Sequence, residues 1–247
     1  MEKYLFWGAF FFAYLINGIT GFAGNIFAMP VGMSTIGHET SIAVLNCTGL
    51  LASIMIAATS FKHIVWREVV KMCSIMLVFM CVGAWINTIA PLDFLQKIYG
   101  VAILVIAARG LFFNKKNKLL PEWLLIVIVA IAGIIQGMFV SGGSFLAIYA
   151  LQKLKTKEEF RATTTTVWTI LNGTYGAYGI IQGDLSGDGW LILLVCIPLL
   201  ILATWLGGTY SKALQSRAIH QSKLYSAHRC CSGASPEIVR KIKPALQ

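Results

Sequence analysis

The stretch NGITGFAGNIFAMP, from Asn17 to Pro30, interrupts a block that contains no Asp, Glu, Lys or Arg from residue 4 to residue 38. Such a block is too long for one membrane helix, which needs about 20 apolar residues. Gly18, Gly21 and Gly24 recur at every third position of the stretch, and glycine allows a membrane helix to unwind or another backbone to come close. The stretch therefore predicts two short helices that meet at the glycines.

A second stretch, QGMFVSGGSFLAIYA from Gln136 to Ala150, interrupts the uncharged block 123–152 in the same way. When the chain is shifted by 119 residues, seven positions are identical without a gap: Ala13 and Ala132, Ile16 and Ile135, Gly18 and Gly137, Gly24 and Gly143, Ala28 and Ala147, Glu39 and Glu158, Ala43 and Ala162. Asn17 then falls on Gln136, and Asn25 falls on Ser144. The matching order of blocks predicts an internal repeat.

Composition places the chain in a membrane. Of its 247 residues 57% are apolar and 12% are charged, and the mean hydropathy is +0.74, whereas a soluble domain carries about 25% charged residues. These values exclude an ordinary soluble enzyme and a nucleic-acid-binding domain, and predict an all-α polytopic membrane protein with about seven to eight membrane segments. We expect a first repeat at 1–118, a second at 119–211 that lacks its last helix, and a basic polar tail at 212–247.

Loop charges predict the orientation of the segments. The loops at 61–71, 109–121 and 153–161 are basic, as is the tail, and basic loops usually face the cytoplasm. Both flanks of the block 123–152 are then inside, so this segment enters and returns. By the repeat, the first broken segment does the same from the outside, which gives two halves of inverted topology. Eight ordinary crossings are the alternative.

The candidate site residues are the glycines and polar side chains of both broken segments. Unwound backbone at membrane depth is tolerated only where it is buried or lines a cavity, and a helix that begins there presents N–H groups and a positive dipole end that suit an anion. Expected to bind substrate are Asn17, Gly18, Thr20, Gly21, Gly24 and Asn25, then Gln136, Gly137, Ser141, Gly142, Gly143 and Ser144, and, on the helices that follow, Asn46, Thr165 and Asn172. Two alternatives stay open, namely close helix packing by the glycines and bonding of the threonines to their own helix.

No catalytic constellation, metal site or cofactor motif is present in the sequence, so we expect no enzyme and no cofactor. Cys47, Cys73, Cys81 and Cys196 lie in apolar stretches without a CxxC spacing, and Cys230 and Cys231 are adjacent in the tail. Two other functions remain open: a membrane thiol-redox protein that uses Cys73 or Cys81, and a passive anion channel.

The end of the chain departs from the repeat. A last span is expected near 218–237, but charged residues near a helix centre cost roughly 2.5 to 3.5 kcal/mol each, so this stretch is not expected to span. A truncated or frame-altered end is one interpretation, and a native soluble tail is the other.

The two glycine motifs resemble the sulfite exporter TauE/SafE family of membrane permeases. The residues that carry the resemblance are Asn17-Gly18-Ile19-Thr20-Gly21-Phe22-Ala23-Gly24 with Pro30, and Gln136-Gly137 with Ser141-Gly142-Gly143-Ser144-Phe145. The second motif lacks the proline, since Tyr149 stands at that register. The resemblance implies a multi-pass protein of the cytoplasmic membrane that transports small anions such as sulfite, sulfonates or related organosulfur compounds.

From these features we expect secondary transport by alternating access around a site between the repeats. Small anions and the lipid bilayer are the expected partners, and nucleic acid is not. Coupling to protons is compatible with the lack of a sodium motif. The sequence does not indicate an oligomeric state.

Overall fold

The computed structural model describes residues 2–20, 24–112, 120–185 and 187–233. Every regular element in these ranges is a helix, which confirms the all-α fold class. The helices are α1 Glu2–Thr20, α2 Gly24–Thr35, α3 His38–Ser60, α4 Trp66–Ile89, α5 Leu92–Phe112, α6 Glu122–Phe139, α7 Gly143–Lys153, α8 Lys157–Gln182 and α9 Asp188–Gly233, with a 3₁₀ turn at Phe61–His63. The chain forms two compact units, Met1–Gly207 and Gly208–Gln247, and all contacts below lie in the first.

Four of the described helices are long and apolar enough to cross a membrane. They are His38–Ala58, Trp66–Ile89, Glu122–Phe139 and Asp188–Tyr210. Large apolar side chains stand exposed on them, such as Val78 at 63% and Leu194 at 71%. Exposed apolar surface on this scale fits contact with lipid rather than water. The expected seven to eight segments and the two repeats stay predictions.

Both glycine-rich stretches are breaks between antiparallel helices. In the second stretch, α6 ends at Phe139, Val140 has φ 53°, and α7 begins at Gly143. The Gln152 side chain near the end of α7 exchanges two hydrogen bonds, of 3.1 and 2.8 Å, with the backbone of Leu120 just before α6. The α6–α7 hairpin therefore returns to the end of the bundle where it began.

The first stretch forms the corresponding hairpin of α1 and α2. A Cβ atom at Gly32, late in α2, would lie 3.2 Å from the ring of Phe6, early in α1. Helix α1 ends at Thr20 and α2 begins at Gly24, and residues 21–23 lie outside the described residues. This hairpin also ends where it began.

The two hairpins enter from opposite ends of the bundle. Lys71, in the second turn of α4, and Lys153, at the end of α7, both pair with Glu122 at the start of α6, at 2.7 and 3.4 Å. At the far end of α4, Asn87 lies 2.5 Å from the ring of His38, which begins α3 just after α2. One end thus gathers basic loop residues, and the other gathers the turn between α2 and α3.

Glycine brings helix backbones into contact at two places. A Cβ atom at Gly83 of α4 would lie 2.2 Å from a carbonyl oxygen of α6, and one at Gly137 of α6 would lie 2.2 Å from a carbonyl oxygen of α4. Gly18 of α1 and Gly207 of α9 touch in the same way, since an added Cβ on either would lie 3.0 Å or less from the Cα of the other. Gly18 and Gly137 therefore lie in close helix contacts, as the alternative interpretation of packing by small residues expects.

Replacing Gly83 by alanine is expected to destabilise the protein by about 1–3 kcal/mol, because overpacking forces two backbones apart. The control is Gly100→Ala on α5, where nothing lies within 4 Å of the added Cβ and alanine is the better helix former. Thermal unfolding of the purified protein in detergent measures both variants. Equal unfolding temperatures for the two would contradict the described helix contact.

Candidate functional site

A cavity of about 40 Å³ lies where the two breaks meet. This volume exceeds the roughly 10–15 Å³ that one water molecule needs. The candidates that line it are Asn17, Asn25, Gln136, Ser141, Gly143, Thr165 and Asn172. The lining residues that the sequence analysis missed are Tyr14, Gly49, Ala52, Ser53, Ile56, Val140 and Trp168. The structure thus brings residues of both broken segments and of α3 and α8 to one place, which we call the central cavity.

An amide side chain caps the second helix of each hairpin. The Oδ1 atom of Asn17 accepts a hydrogen bond from the N–H of Gly24 at 3.4 Å. The Oε1 atom of Gln136 accepts one from the N–H of Gly142 at 3.1 Å. The first N–H groups of a helix have no partner within the helix, so each amide satisfies one of them. The two residues that the repeat aligns therefore perform the same task.

Two glycines make room for these caps. A Cβ atom at Gly24 would lie 2.8 Å from the Cβ of Asn17, and one at Gly142 would lie 2.3 Å from the carbonyl oxygen of Ala132. Any side chain at these positions would push the two helices of the hairpin apart. Gly24 and Gly142 hence act in the geometry of the breaks rather than in the lining of the cavity.

Side chains also satisfy the carbonyl groups that the second break releases. Tyr175 donates its hydroxyl proton to the carbonyl oxygen of Gly137 at 2.6 Å, and the amide of Asn25 donates to that of Val140 at 2.9 Å. The Ser141 hydroxyl lies 2.9 Å from the carbonyl oxygen of Phe139. In a bilayer core no water is at hand for such groups, and each unpaired one costs several kcal/mol. These bonds allow Val140 to keep its left-handed backbone.

The hydrogen bond from Asn25 to Val140 joins the first break to the second. Tyr14 extends this link, because its hydroxyl donates to the Oδ1 of Asn25 at 2.9 Å and lies 3.1 Å from the hydroxyl of Thr48 on α3. The linked side chains are all neutral.

Tyr99 on α5 provides a second link. Its hydroxyl donates to the carbonyl oxygen of Ile26 on α2 at 2.9 Å. The same hydroxyl lies 2.9 Å from the hydroxyl of Ser141. Sequence reasoning missed Tyr14, Tyr99 and Tyr175. The available signal was a tyrosine within an apolar run, since a buried phenol hydroxyl usually needs a partner.

The opposite wall of the central cavity holds Asn172 of α8. Its Oδ1 accepts a hydrogen bond from the Nε2 of Gln136 at 2.9 Å. Its Nδ2 lies against α3, 2.8 Å from the position that a Cβ of Gly49 would take. Because Gly49 has no side chain, the Asn172 amide fits against α3 in the wall of the central cavity.

Several predicted residues lie elsewhere. Gly18 and Gly137 are in helix contacts, and Ser144, in the first turn of α7, is half-buried. Gly21 and the side chain of Thr20 lie outside the described residues. Asn46 lines a different cavity.

The threonine cluster of α8 bonds mostly to its own helix. The hydroxyl groups of Thr164, Thr165, Thr166 and Thr169 each donate to a carbonyl oxygen three or four residues earlier. These are the bonds to their own helix that the alternative interpretation expects. Thr165 also lines the central cavity. Thr163 differs, since its hydroxyl accepts a hydrogen bond from the backbone N–H of Val65 at 3.1 Å.

A second and larger cavity, of about 310 Å³, lies between α3, α4 and α8 at the end of the bundle where α3 begins. Two carboxylates line it, those of Glu39 and Asp184, together with Asn46, Asn87 and Tyr175. Burial raises the pKa of the Asp184 carboxyl above its ordinary value, and the charge of Glu39 raises it further. We call this space the acidic cavity.

Comparison with known proteins identifies the family. The model of the sulfite exporter TauE/SafE family matches residues 6–222 of the chain. The chain belongs to the TauE/SafE family. No curated protein and no solved structure matches it. TauE/SafE proteins are membrane transporters for sulfite and related sulfur compounds. In this TauE/SafE member the described cysteines, Cys47, Cys73, Cys81 and Cys196, are free thiols.

Replacing Tyr99 by phenylalanine is expected to lower the free energy of unfolding by about 1–3 kcal/mol, because the buried carbonyl of Ile26 loses its partner. The matched control is Tyr4→Phe, whose side chain is 74% exposed and whose loss of a hydroxyl should change little. Thermal unfolding in detergent compares the two variants. A Tyr99→Phe protein as stable as the control would show that this link does not hold the breaks together.

Proposed function

We propose that this protein is a secondary transporter of small anions such as sulfite, sulfonates or related organosulfur compounds, and that the central cavity binds them. The observation that carries the proposal is the position of this cavity at the meeting point of two broken helices, together with a lining that contains several polar side chains and no charged one. A neutral polar site at a helix N-terminus favours an anion over a cation.

The hydrogen bonds around the cavity leave donors for an anion. The oxygen atoms of Asn17 and Asn172 are both engaged by N–H groups of the protein. An amide whose oxygen is held still carries an NH₂ group with two donors. Gly143 adds a backbone N–H from the first turn of α7, where no carbonyl of the same helix can accept it. These groups are suited to the oxygen atoms of sulfite or of a sulfonate.

We propose further that the two halves are inverted repeats. The matched caps of Asn17 and Gln136 support this, as do the glycine contact of α1 with α9 and that of α4 with α6. The entry of the two hairpins from opposite ends of the bundle is what inverted repeats require. Alternating access then follows from movement of one hairpin relative to the other around the central cavity.

The orientation of the protein follows from its charges. The end that holds Lys71, Lys153 and the turn before α8 is the basic one, and the positive-inside rule places it in the cytoplasm. The acidic cavity then opens to the outside of the cytoplasmic membrane. An anion exported through the central cavity leaves at the acidic end.

The test is flux of radiolabelled sulfite in proteoliposomes, with and without a pH gradient, competed by sulfate, taurine and a simple sulfonate. A transporter concentrates the anion against its gradient, which a passive channel does not. A variant with Cys47, Cys73, Cys81 and Cys196 replaced by alanine should keep most of this flux, which a thiol-redox protein would not. Absence of flux for every tested anion with folded protein would contradict the proposal.

Replacing Asn172 by aspartate is expected to lower sulfite flux at least tenfold, since 1.4 kcal/mol corresponds to a factor of ten and a like charge disfavours the anion. The variant keeps the oxygen that accepts from Gln136, so the wall should stay folded. Gln96→Glu is the matched control, because it adds the same charge at an exposed position of α5. Equal flux for the two variants would place the anion somewhere other than the central cavity.

A further inference from the structure

The acidic cavity differs from the central cavity in its chemistry. Glu39 and Asp184 are the charged residues of its lining, and no Lys or Arg of the described residues pairs with either of them. The ion pairs in the described ranges join Lys3 with Asp188, and Lys71 and Lys153 with Glu122. Two carboxylates that face one cavity without an ion-pair partner repel each other. The lining of the cavity therefore carries a net negative charge, which favours a cation.

The position of Asp184 at the end of α8 strengthens this preference for a cation. Helix α8 ends in a left-handed Gly183 with φ 84°, and the N–H of Asp184 bonds back to the carbonyl of Gly179 at 3.0 Å. The carboxylate folds against the same turn, with an oxygen 3.1 Å from the position of a Cβ at Gly179. The C-terminus of a helix carries a partial negative charge. A second negative charge at this place is unfavourable unless a cation accompanies it.

Asn46 supplies an independent observation that points to a ligand. Its side chain is fully buried and lines the acidic cavity. The Nδ2 atom donates to the carbonyl of Ile42 at 3.0 Å, whereas the Oδ1 atom has no hydrogen-bond partner among the described residues. A buried carbonyl oxygen without a partner is costly. A cation in the acidic cavity that contacted this oxygen would satisfy it.

We propose that the acidic cavity binds a small monovalent cation such as Na⁺, with the carboxylates of Glu39 and Asp184 and the Oδ1 of Asn46 as its protein ligands. Oxygen ligands of this kind suit hard cations. A calcium site takes six to eight oxygen ligands, several of them carboxylates, and the described residues contain no group of three His, Cys, Asp or Glu side chains that would hold a metal ion. The site therefore suits an alkali cation with water in its remaining positions.

The two cavities share helices, which gives the cation a means to act on the central cavity. Asn46 lies three residues before Gly49 on α3, and Tyr175 lies three residues after Asn172 on α8, so each pair shares a helix face. Tyr175 also donates to the carbonyl of Gly137 at the end of α6. If the proposed transport function holds, the cation is its coupling ion. Binding of the cation itself does not depend on that function.

The test is thermal unfolding of the purified full chain, without sulfite, in NaCl, KCl and choline chloride at equal ionic strength. We expect the unfolding temperature to rise by several degrees with Na⁺ or K⁺ relative to choline, and to saturate with concentration. A ligand that binds only the folded state stabilises it in this way. Equal temperatures in all three salts overturn the proposal, and a shift with Ca²⁺ or Mg²⁺ alone overturns the assignment to a monovalent ion.

Three variants locate the site, and a fourth serves as their control. Asp184→Asn and Asn46→Leu are expected to raise the apparent Kd for the cation at least tenfold, and Asp93→Asn, an exposed carboxylate in the first turn of α5, is expected to leave it unchanged. Glu39 is exposed at the cavity mouth, so Glu39→Gln tests the same site without touching a buried group. An unchanged cation shift in Glu39→Gln and Asp184→Asn overturns the proposal. Sulfite flux is measured separately, so loss of flux with an intact cation shift contradicts only the transport function.

Discussion

Two interrupted helices release backbone N–H and C=O groups in the interior of the helix bundle, where an unpaired polar group is costly. The rest of the unit 1–207 is arranged around this constraint. Asn17 and Gln136 cap the helices that follow the breaks, and Asn25 and Tyr175 reach from other helices to the carbonyl groups that α6 releases. Each of these side chains is neutral. A charged side chain would satisfy the same backbone groups but would itself need a partner in a low-dielectric site.

The use of uncharged side chains at the breaks has a consequence for the proposed function. Since uncharged amides and hydroxyls hold the breaks, the central cavity has no charged residue in its lining. In the proposed function the helix ends therefore decide which ion it prefers. An anion transporter needs to bind its substrate weakly enough to release it, and a buried arginine or lysine would bind a small oxyanion strongly. Amide and backbone donors suit a carrier that binds and releases the same ion in every cycle.

Sequence reasoning predicted the parts of this arrangement that depend on composition and local chemistry. The long uncharged blocks predicted helices, and Ser141-Gly142-Gly143 predicted the break, because few residues other than glycine tolerate such close approach. The alignment of Asn17 with Gln136 indicated related positions but not the cap that both side chains form. The partners of Tyr14 and Tyr99 depend on which helices become neighbours, and no local pattern contains that information. For the same reason Asn46 was placed with Asn172, although one turn of helix separates the two cavities that they line.

The two cavities differ in electrostatic character, because the central cavity has no charged residue in its lining and the acidic cavity has two carboxylates. If the proposed export function holds, an anion that leaves the central cavity toward the acidic end approaches Glu39 and Asp184, whose charges oppose it. The same carboxylates would oppose an anion that approached from the outside. This opposition slows exit unless the charge is neutralised. The proposed cation, bound between the two carboxylates, would lower this barrier while it is present, and the barrier would return when the cation leaves. In the proposed function a filled cation site lowers the barrier to passage of the anion in both directions. Coupling then requires that the anion and the cation favour the same state of the protein, and their gradients set the direction of net movement.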